Sequence, residues 1–458
     1  MPVLTVMPVD ISSRKIFLYS DQIDRLGLIP GSMISLRAGS AITDIVVTSS
    51  LSGNYISKGT LDSLGLPAFK ELLLRAEAPD MLQIGPLIGI LISRNLNPTP
   101  PHTSQDKSLQ RFLNYAAAKN YISYVFSPNQ TDISNKQITG YFLGINNNGT
   151  RCWIKHTFPL PDAVYDRILY RNIERKPATL KITSFFKTQS GITYFNPKFL
   201  NKWETHAILI QNPVLQNHLP HTAKFLNPED LPTFLQLYKT VYLKPVHGSL
   251  GMGILRVSLV LGGYSCQYRK AKQTFTHILP TLDELMIFLE KHRNKRAYVI
   301  QQGLDLLKYH ERVFDIRVLA QKNGQGTWTI TAAVPRVASD GSIFPNIAAG
   351  GEAKNMEIVW RELFGEEWLY CQSYQTTRQI SLAAAETLEN ALGTFCEIGL
   401  DLGIDSYGKI WIIEINSKPS RKVFPRDRID LKQTSFKLPL DFAAYMAGFN
   451  PDQEFEPW

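Results

Sequence analysis

The sequence predicts a mixed α+β protein in which regions of α/β character follow a β-rich beginning. Short β-type runs separated by turn signals fill residues 1–80, and a strand–helix alternation covers 81–178. Strands and helices then continue over 179–458. Because 458 residues exceed one ordinary domain, we expect three: a β-rich N-terminal domain, an α/β domain and a larger α+β domain.

Each region carries its own local signals. The first contains the runs KIFLYS, SMISLRAG and ITDIVVTSS, which are typical of a small barrel. The second contains the apolar run IGPLIGILIS and the helix-like segment LQRFLNYAAAKN. In the third, Thr281 and Glu284 have the spacing of a capping box, and 381–395 is rich in strong helix formers. Two β-type runs joined by a turn at 405–408 predict a hairpin.

The composition excludes several classes of protein. A hydrophobic content of 44% with 19% charged residues is typical of a folded globular chain. The formal net charge is +9, but the basic residues are spread out, which favours a solvated face or an anionic substrate over nucleic acid. Four distant cysteines give neither a disulfide framework nor a zinc motif. The start does not resemble a signal peptide and no apolar run could span a bilayer, so we expect a cytoplasmic protein.

A lysine followed by a glycine-rich loop is the strongest indication of chemistry. Lys244 ends an apolar β-type run, and Gly248, Ser249, Gly251 and Gly253 follow it. Glycines allow backbone N–H groups to approach phosphate oxygens, and the lysine adds a positive charge. The spacing is not that of a dinucleotide motif, and a strand rather than a helix follows. A phosphate-binding hairpin and an ordinary flexible hairpin with an exposed lysine therefore both stay open.

Polar residues interrupt an apolar run late in the chain. Glu414 and Asn416 are two residues apart, so on a strand they face the same side. Asp401 lies on the run expected to pair with that strand. Three oxygen ligands on one sheet face suit Mg²⁺. The alternative is an ordinary polar face with Glu414 in a salt bridge.

Two arginines lie inside other β-type runs. Arginines in such positions usually pair with a carboxylate or a phosphate. For Arg317, a structural ion pair with Asp315 is an equally good interpretation. Arg336 precedes the flexible segment 344–353, which we interpret as a candidate lid.

Taken in order, these segments resemble the ATP-grasp superfamily, and within it the YheC/YheD-type branch associated with the spore coat. The resemblance covers about residues 180–430 and lies in the order of its motifs: FLNKWETHAIL, VYLKPVHGSLGMGI, YVIQQGL, FDIRVLAQ, AAVPRV, NIAAGGEA, EIGLDLGID and KIWIIEINSKP. It implies an ATP-grasp fold over 179–458. The α/β domain over 81–178 would precede it, after the β-rich extension of that branch over 1–80.

The resemblance also implies roles for individual residues. ATP would be bound by Lys202, Lys244, Gly248, Ser249, Gly251, Gly253, Gln301, Gln302, Gly303 and Leu304. Mg²⁺ would be bound by Asp401, Glu414 and Asn416, and the catalytic residues would be Arg336, Lys244 and Arg317. Gln302 stands where the family often has glutamate. The segment NSKPSRK, 416–422, replaces the glycine-containing turn usual there.

The implied activity is an ATP- and Mg²⁺-dependent ligation of a carboxylate to an amine or related nucleophile through an acylphosphate. The partners would be a small-molecule or peptide carboxylate and an amine, with spore coat components as further candidates. Two alternatives stay open: a nucleotide-binding, coat-associated structural protein with little catalysis, and an ATP-grasp kinase.

Overall fold

The computed structural model describes residues 3–96, 104–145, 149–248, 251–270, 273–293, 296–339, 351–366, 372–425 and 427–449. These residues form one closed barrel and three open sheets with helices on their faces. The mixed α+β class is therefore confirmed. No helix in this described part of the chain combines the length and the apolar character needed to cross a membrane.

Alternating apolar residues close the first region into a barrel. Its strands are β1 (Val3–Val9), β2 (Lys15–Tyr19), β3 (Met33–Ala38), β4 (Ala41–Ser50), β5 (Tyr55–Ser57), β6 (Leu72–Ala78) and β7 (Met81–Gly85), with helices α1 (Ser20–Arg25) and α2 (Lys58–Ser63). The strand order is β1-β5-β2-β4-β3-β7-β6. In β3, Ile34, Leu36 and Ala38 are buried and their neighbours are not, which is the period of two expected of a barrel wall.

The second region is a sheet whose strands are mostly covered on both faces. It contains β8 (Leu87–Ile92), β9 (Ile122–Phe126), β10 (Thr131–Asp132), β11 (Gln137–Ile145), β12 (Arg151–Pro159), β13 (Ala163–Arg167) and β14 (Thr193–Phe195), with helices α3 (Ser104–Ala118), α4 (Arg171–Glu174) and α5 (Pro177–Thr188). The order is β10-β11-β9-β8-β13-β14, and β12 pairs with β11.

The apolar run around Pro86 forms two strands rather than the single strand predicted. Proline has no N–H for a sheet ladder, and it separates β7 of the barrel from β8 of the second sheet. Asp162 joins these two bodies, since its carboxylate accepts from Arg37 Nη1 at 2.7 Å and from the Leu87 N–H at 2.8 Å. Barrel and second sheet also share one apolar core.

The third sheet carries the glycine-rich loop. Its strands are β15 (Thr222–Phe225), β16 (Thr240–Pro245), β17 (Leu255–Val260), β18 (Gly263–Lys270), β19 (Gln273–Leu279) and β20 (Tyr298–Gln302), in the order β15-β20-β16-β17-β18-β19. Helices α8 (Asp230–Tyr238) and α9 (Leu282–Arg293) pack on this sheet, whereas α6 (Lys202–Leu209) and α7 (Pro213–Gln216) precede it along the chain and contribute their buried leucines to the core of the fourth sheet. The predicted helix start is confirmed, because the Glu284 N–H donates to Thr281 Oγ1 at 3.3 Å.

The fourth sheet carries the acidic hairpin. It contains β21 (Lys308–Tyr309), β22 (Arg312–Lys322), β23 (Trp328–Val337), β24 (Glu352–Ala353), β25 (Glu397–Ile404) and β26 (Ile410–Asn416), with helices α10 (Met356–Phe364), α11 (Gln372–Leu392) and α12 (Ile429–Met446). The order is β24-β23-β22-β25-β26, and β21 pairs with β22. Helix α11 begins nine residues earlier than its strongest helix-forming stretch. Most of the candidate lid, 344–350, lies outside the described residues.

The last helix returns to the second region. In α12, Phe436 packs edge-on against Phe112 of α3 with ring centroids 4.9 Å apart, and Phe442 packs in the same way against Phe195 of β14. These contacts attach the end of the chain to the α/β region as well as to the fourth sheet. The division at residues 80 and 178 stays a prediction.

Candidate functional site

A cleft opens between the third and fourth sheets. It encloses about 530 Å³ including its open mouth. Four of the predicted site residues line it: Lys202, Lys244, Gln301 and Glu414. The rest of the lining is Leu200, Thr205, His206, Leu209, Leu219, Pro220, Thr222, Val299, Ile412, Ile413 and Ile415. Segments separated by more than 200 residues of sequence therefore meet in one concave site.

Lys202 reaches this cleft from the first turn of α6. The Asn201 side chain caps that helix by accepting from the Glu204 N–H at 2.9 Å, which fixes where the helix begins. The Lys202 Nζ then contacts Glu414 Oε1 and the Gly248 carbonyl oxygen, both at 3.2 Å. One ammonium group thus links the helix, the acidic hairpin and the start of the glycine-rich loop.

Lys244 lies in the last two residues of β16, near the predicted strand end, but it is buried rather than exposed, at 7% of its accessible surface. Its Nζ donates to Gln301 Oε1, and Gln301 Nε2 donates to Thr222 Oγ1 at 2.9 Å. Within the described residues no carboxylate lies in ion-pair distance of this ammonium group. Burial lowers the pKa of Lys244 to about 8, and Glu414 offsets part of that effect. The flexible hairpin with an exposed lysine is therefore not what the structure shows.

The glycine-rich loop connects β16 to β17, which pair antiparallel as a hairpin. Gly251 and Gly253 have φ values of 71° and 76°, which residues with a Cβ rarely adopt. The Gly253 carbonyl accepts from the Tyr298 hydroxyl at 2.8 Å. Ser249 lies outside the described residues.

The segment after β20 is less closely associated with the cleft. The Gln302 N–H donates to the His221 carbonyl at 2.9 Å, and the His221 N–H donates to Gln302 Oε1 at 3.2 Å. The Gly303 N–H donates to the Thr240 carbonyl at 2.9 Å, and a Cβ on Gly303 would lie 2.6 Å from that oxygen. Leu304 follows, half-buried. Of the four predicted hinge residues only Gln301 is part of the cleft lining.

A charged row crosses the fourth sheet next to the cleft. The register places Asp315 opposite Arg336 and Arg317 opposite Asp401. Arg336 Nε donates to Asp315 Oδ1 at 2.6 Å, and its Nη2 lies 3.1 Å from Asp401 Oδ1. Arg317 Nη2 donates to Asp401 Oδ2 at 3.0 Å. Arg317 therefore pairs with Asp401, not with Asp315 as the alternative interpretation had it.

The two arginines determine the charge state of Asp401. Burial alone would raise the pKa of this carboxyl, but Arg317 and Arg336 outweigh burial and lower it. Burial opposes the charge on Arg336 in the same way, and Asp401 and Asp315 raise its pKa. Asp315 behaves differently, because burial raises its pKa to about 6 although Arg336 acts in the opposite direction.

The three predicted metal ligands share one part of this sheet. Asp401 lies opposite Glu414, and Gly399 lies opposite Asn416, so the expected hairpin register is confirmed. Carboxylate and amide oxygens suit Mg²⁺. Asp401, however, has both oxygens engaged by arginines. Within the described ranges no group of three Asp, Glu, His or Cys side chains is arranged around a metal position. Glu414 and Asn416 have oxygens of the kind that suit the ion, but Glu414 Oε1 contacts Lys202, and Asp401 could bind an ion only by exchanging an arginine contact.

Sequence reasoning missed three polar residues of the lining. Thr205 and His206 follow Lys202 by three and four positions, so a helix beginning at Asn201 places all three on one face. The Thr205 hydroxyl is buried and has no hydrogen-bond partner among the residues that the structure describes. Thr222 is recognisable only through its contact with Gln301. For Thr205 and His206, the sequence signal was their spacing of three and four residues from Lys202 on a helix.

The unusual segment after β26 turns inward instead of facing a substrate. Lys418 is fully buried and its Nζ lies 2.8 Å from Asp166 Oδ1 and 3.5 Å from Glu174 Oε1. Arg421 pairs with the buried Glu397. This segment fastens the fourth sheet to the second region.

Comparison with known proteins supplies the family. The model of the YheC/D-like ATP-grasp family matches residues 191–446. The endospore coat-associated protein YheD of Bacillus subtilis (strain 168) is 29% identical over 395 residues, covering 83% of this chain and 84% of the relative. The endospore coat-associated protein YheC of the same strain is 23% identical over 302 residues, covering 66% and 82%. Among solved structures, the VanG D-Ala:D-Ser ligase of Enterococcus faecalis has 12% identity and a TM-score of 0.44, covering 80% of this chain and all of its own.

Proposed function

Since the chain belongs to the YheC/D-like ATP-grasp family, we propose that it uses ATP and Mg²⁺ to join a carboxylate to an amine through an acylphosphate. The observation that carries the proposal is the convergence of Lys202, Lys244 and Glu414 on one cleft. A nucleoside triphosphate with its metal ion needs cations for its phosphates and a carboxylate for the metal, and three distant segments supply these groups.

The cleft offers polar groups for the phosphates of a nucleotide and apolar side chains for its base. Lys244 is a buried cation without a carboxylate partner among the described residues, and such a group favours an incoming anion. The orphaned Thr205 hydroxyl offers a hydrogen bond to a bound molecule. Leu200, Val299 and Ile413 provide apolar contacts for a base. We assign the phosphates to Lys202, Lys244 and the loop of Gly248, Ser249, Gly251 and Gly253.

The chemistry follows from these positions. An oxygen of the substrate carboxylate bonds to the γ-phosphorus as the bond to the β–γ bridging oxygen breaks and ADP leaves. An amine then bonds to the acyl carbon, the C–O bond to phosphate breaks, and the amine nitrogen loses a proton. Mg²⁺ held by Glu414, Asn416 and Asp401 would neutralise charge on the phosphates. Arg336 and Arg317 would stabilise negative charge at the reacting end, because Asp315 and Asp401 hold their guanidinium groups in place.

The names of the relatives support a second part of the proposal. YheD and YheC are each named endospore coat-associated. We propose that this protein works in the cytoplasm and that its products or the protein itself become associated with the spore coat. The ligase is tested against two alternatives. One is a coat-associated nucleotide-binding protein with little catalysis, and the other is an ATP-grasp kinase.

Hydroxylamine distinguishes these outcomes because it captures acylphosphates whatever the acyl group is. The full chain is incubated with ATP, Mg²⁺ and pooled amino acids and dipeptides as carboxylate donors. A ligase releases ADP only with a carboxylate present and forms a hydroxamate. A kinase releases ADP and gives a stable phosphorylated product without hydroxamate. A structural protein binds a non-hydrolysable ATP analogue and releases no ADP.

Glu414→Gln is expected to lower carboxylate-dependent ADP release by about 100-fold or more, since it removes the charge that both a metal ion and Lys202 need. The measurement is the rate of ADP release at several Mg²⁺ concentrations. Glu290→Gln, which removes an exposed glutamate paired with Arg293, is the matched control. A Glu414→Gln protein with the unmodified rate would remove Glu414 from the metal site.

The pH dependence of nucleotide binding tests Lys244 separately. The ammonium form binds phosphate, and the pKa of Lys244 in the free protein is about 8. Affinity for an ATP analogue should therefore be constant below pH 8 and fall as the pH rises above it, until the higher pKa of the complex is reached. Calorimetric titration between pH 7 and 9.5 measures this, with buffers spaced at about half a pH unit. In Lys244→Arg the decline should disappear, because arginine stays protonated throughout.

A further inference from the structure

Two arginines of the second region flank the short helix α4, and the first of them contacts Leu200 of the cleft lining. Arg171 begins α4 and Arg175 follows its end. The Arg171 Nη2 donates to the Leu200 carbonyl at 2.7 Å, which brings the guanidinium beside the first turn of α6 and Lys202. Burial lowers the pKa of His247, which precedes Gly248, and the charges of Arg175 and Arg171 lower it further. Through Leu200 and Lys202, Arg171 is connected to the start of the glycine-rich loop.

The acidic groups nearby are already committed to other partners. Glu174 accepts from the Phe199 N–H at 2.9 Å and lies 3.5 Å from Lys418 Nζ. Glu204 accepts from Lys198 Nζ at 2.5 Å. Glu414 contacts Lys202. Within the described residues no carboxylate lies in ion-pair distance of Arg171 or Arg175.

Arg171 is also incompletely satisfied. Its guanidinium lies over the Phe199 ring, 4.6 Å from the centroid, and its Nε is buried with no hydrogen-bond partner in the described part of the chain. Burial lowers the pKa of Arg171, and Glu174 and Glu414 act in the opposite direction. A half-buried guanidinium with an unused donor is arranged to bind an anion, since leaving it unpaired costs free energy.

We propose that Arg171 and Arg175 bind a second carboxylate of the substrate, so that the ligase, if the proposed function holds, acts on acidic peptides or other molecules with at least two carboxylates. A guanidinium matches the planar carboxylate with two parallel hydrogen bonds. Both arginines precede residues 191–446, the part that the family model matches. The assigned nucleotide cations, Lys202 and Lys244, lie inside that part. The pair is thus a specificity element of the second region, separate from the grip on ATP.

The test uses the full chain and two probes, triglutamate and triglutamine, which share length and a terminal carboxylate. Each is titrated calorimetrically with Mg²⁺ and a non-hydrolysable ATP analogue present, and again without nucleotide. Triglutamate should bind about tenfold more tightly than triglutamine. In Arg171→Gln/Arg175→Gln the preference should disappear while affinity for the ATP analogue stays within about twofold.

Arg151→Gln/Lys155→Gln is the matched control, because it removes the same charge from an exposed part of β12 in the same region. It should keep the triglutamate preference. The proposal is overturned if the unmodified chain does not prefer triglutamate, or if the preference survives the loss of both arginines. A parallel loss of ATP-analogue affinity would reassign them to the nucleotide phosphates. Failure of the unmodified chain to bind the analogue would count against the proposed function alone, since the titration without nucleotide still decides this inference.

Discussion

Replacing Lys244 by alanine is expected to weaken binding of a non-hydrolysable ATP analogue by about 10- to 100-fold, equivalent to roughly 1.5–3 kcal/mol for a hydrogen bond to a charged group. The reason is that this ammonium group is buried beside Gln301 and has no carboxylate partner in the described chain. In the free protein the buried, unpaired charge of Lys244 is destabilising, and a bound phosphate would offset that cost. Isothermal titration at pH 7 measures the difference.

Lys308→Ala is the control for Lys244→Ala. It removes an exposed lysine of β21 that lies 3.8 Å from Glu311. It should leave the affinity unchanged. If Lys244→Ala binds the analogue as tightly as the unmodified chain does, the phosphates do not lie at this end of β16 and the assignment of the nucleotide is wrong. Circular dichroism shows whether the variant is folded.

The second large effect concerns stability. Glu397 of β25 is fully buried and accepts from Arg167 Nη1 at 2.7 Å, from Gln321 Nε2 at 3.1 Å, and from Arg421 and the Tyr165 hydroxyl. Glu397→Ala leaves Arg167 and Arg421 buried without their counter-charge. We expect the free energy of unfolding to fall by about 3–5 kcal/mol. Urea unfolding followed by tryptophan fluorescence measures it.

The same network predicts the direction of a pH effect. Burial would raise the pKa of Glu397, but Arg421 and Arg167 outweigh it and lower the pKa. Its contribution is therefore complete above the ordinary glutamate pKa of about 4.3 and is lost as the pH falls through the folded-state value. The difference in urea midpoint between the unmodified chain and Glu397→Ala should shrink on acidification. Glu290→Ala, at an exposed pair, should show no such difference, and an unchanged midpoint in Glu397→Ala would contradict the prediction.

What the sequence could predict depended on how far apart the interacting residues are. The turn at 405–408 predicted the pairing of β25 with β26, whereas the register shift between Asp401 and Leu402, which brings Asp401 opposite Glu414, could not be predicted from spacing. The ladder that places Arg317 on Asp401, with 84 positions between them, is a matter of strand order that no local pattern contains. The burial of Lys244 was missed for the same reason, because its cover comes from β20 and α6. The order of the motifs, not any single one, indicated the fold.

Buried ion pairs connect the second and fourth sheets, Lys418 with Asp166 and Arg167 with Glu397. No buried ion pair in the described residues ties the third sheet to either of them. If the cleft opens and closes, the third sheet with its glycine-rich loop would move relative to the fourth sheet with its acidic hairpin and to Arg171 and Arg175. An acidic substrate bound to the two arginines could then stay bound while ADP leaves with the third sheet.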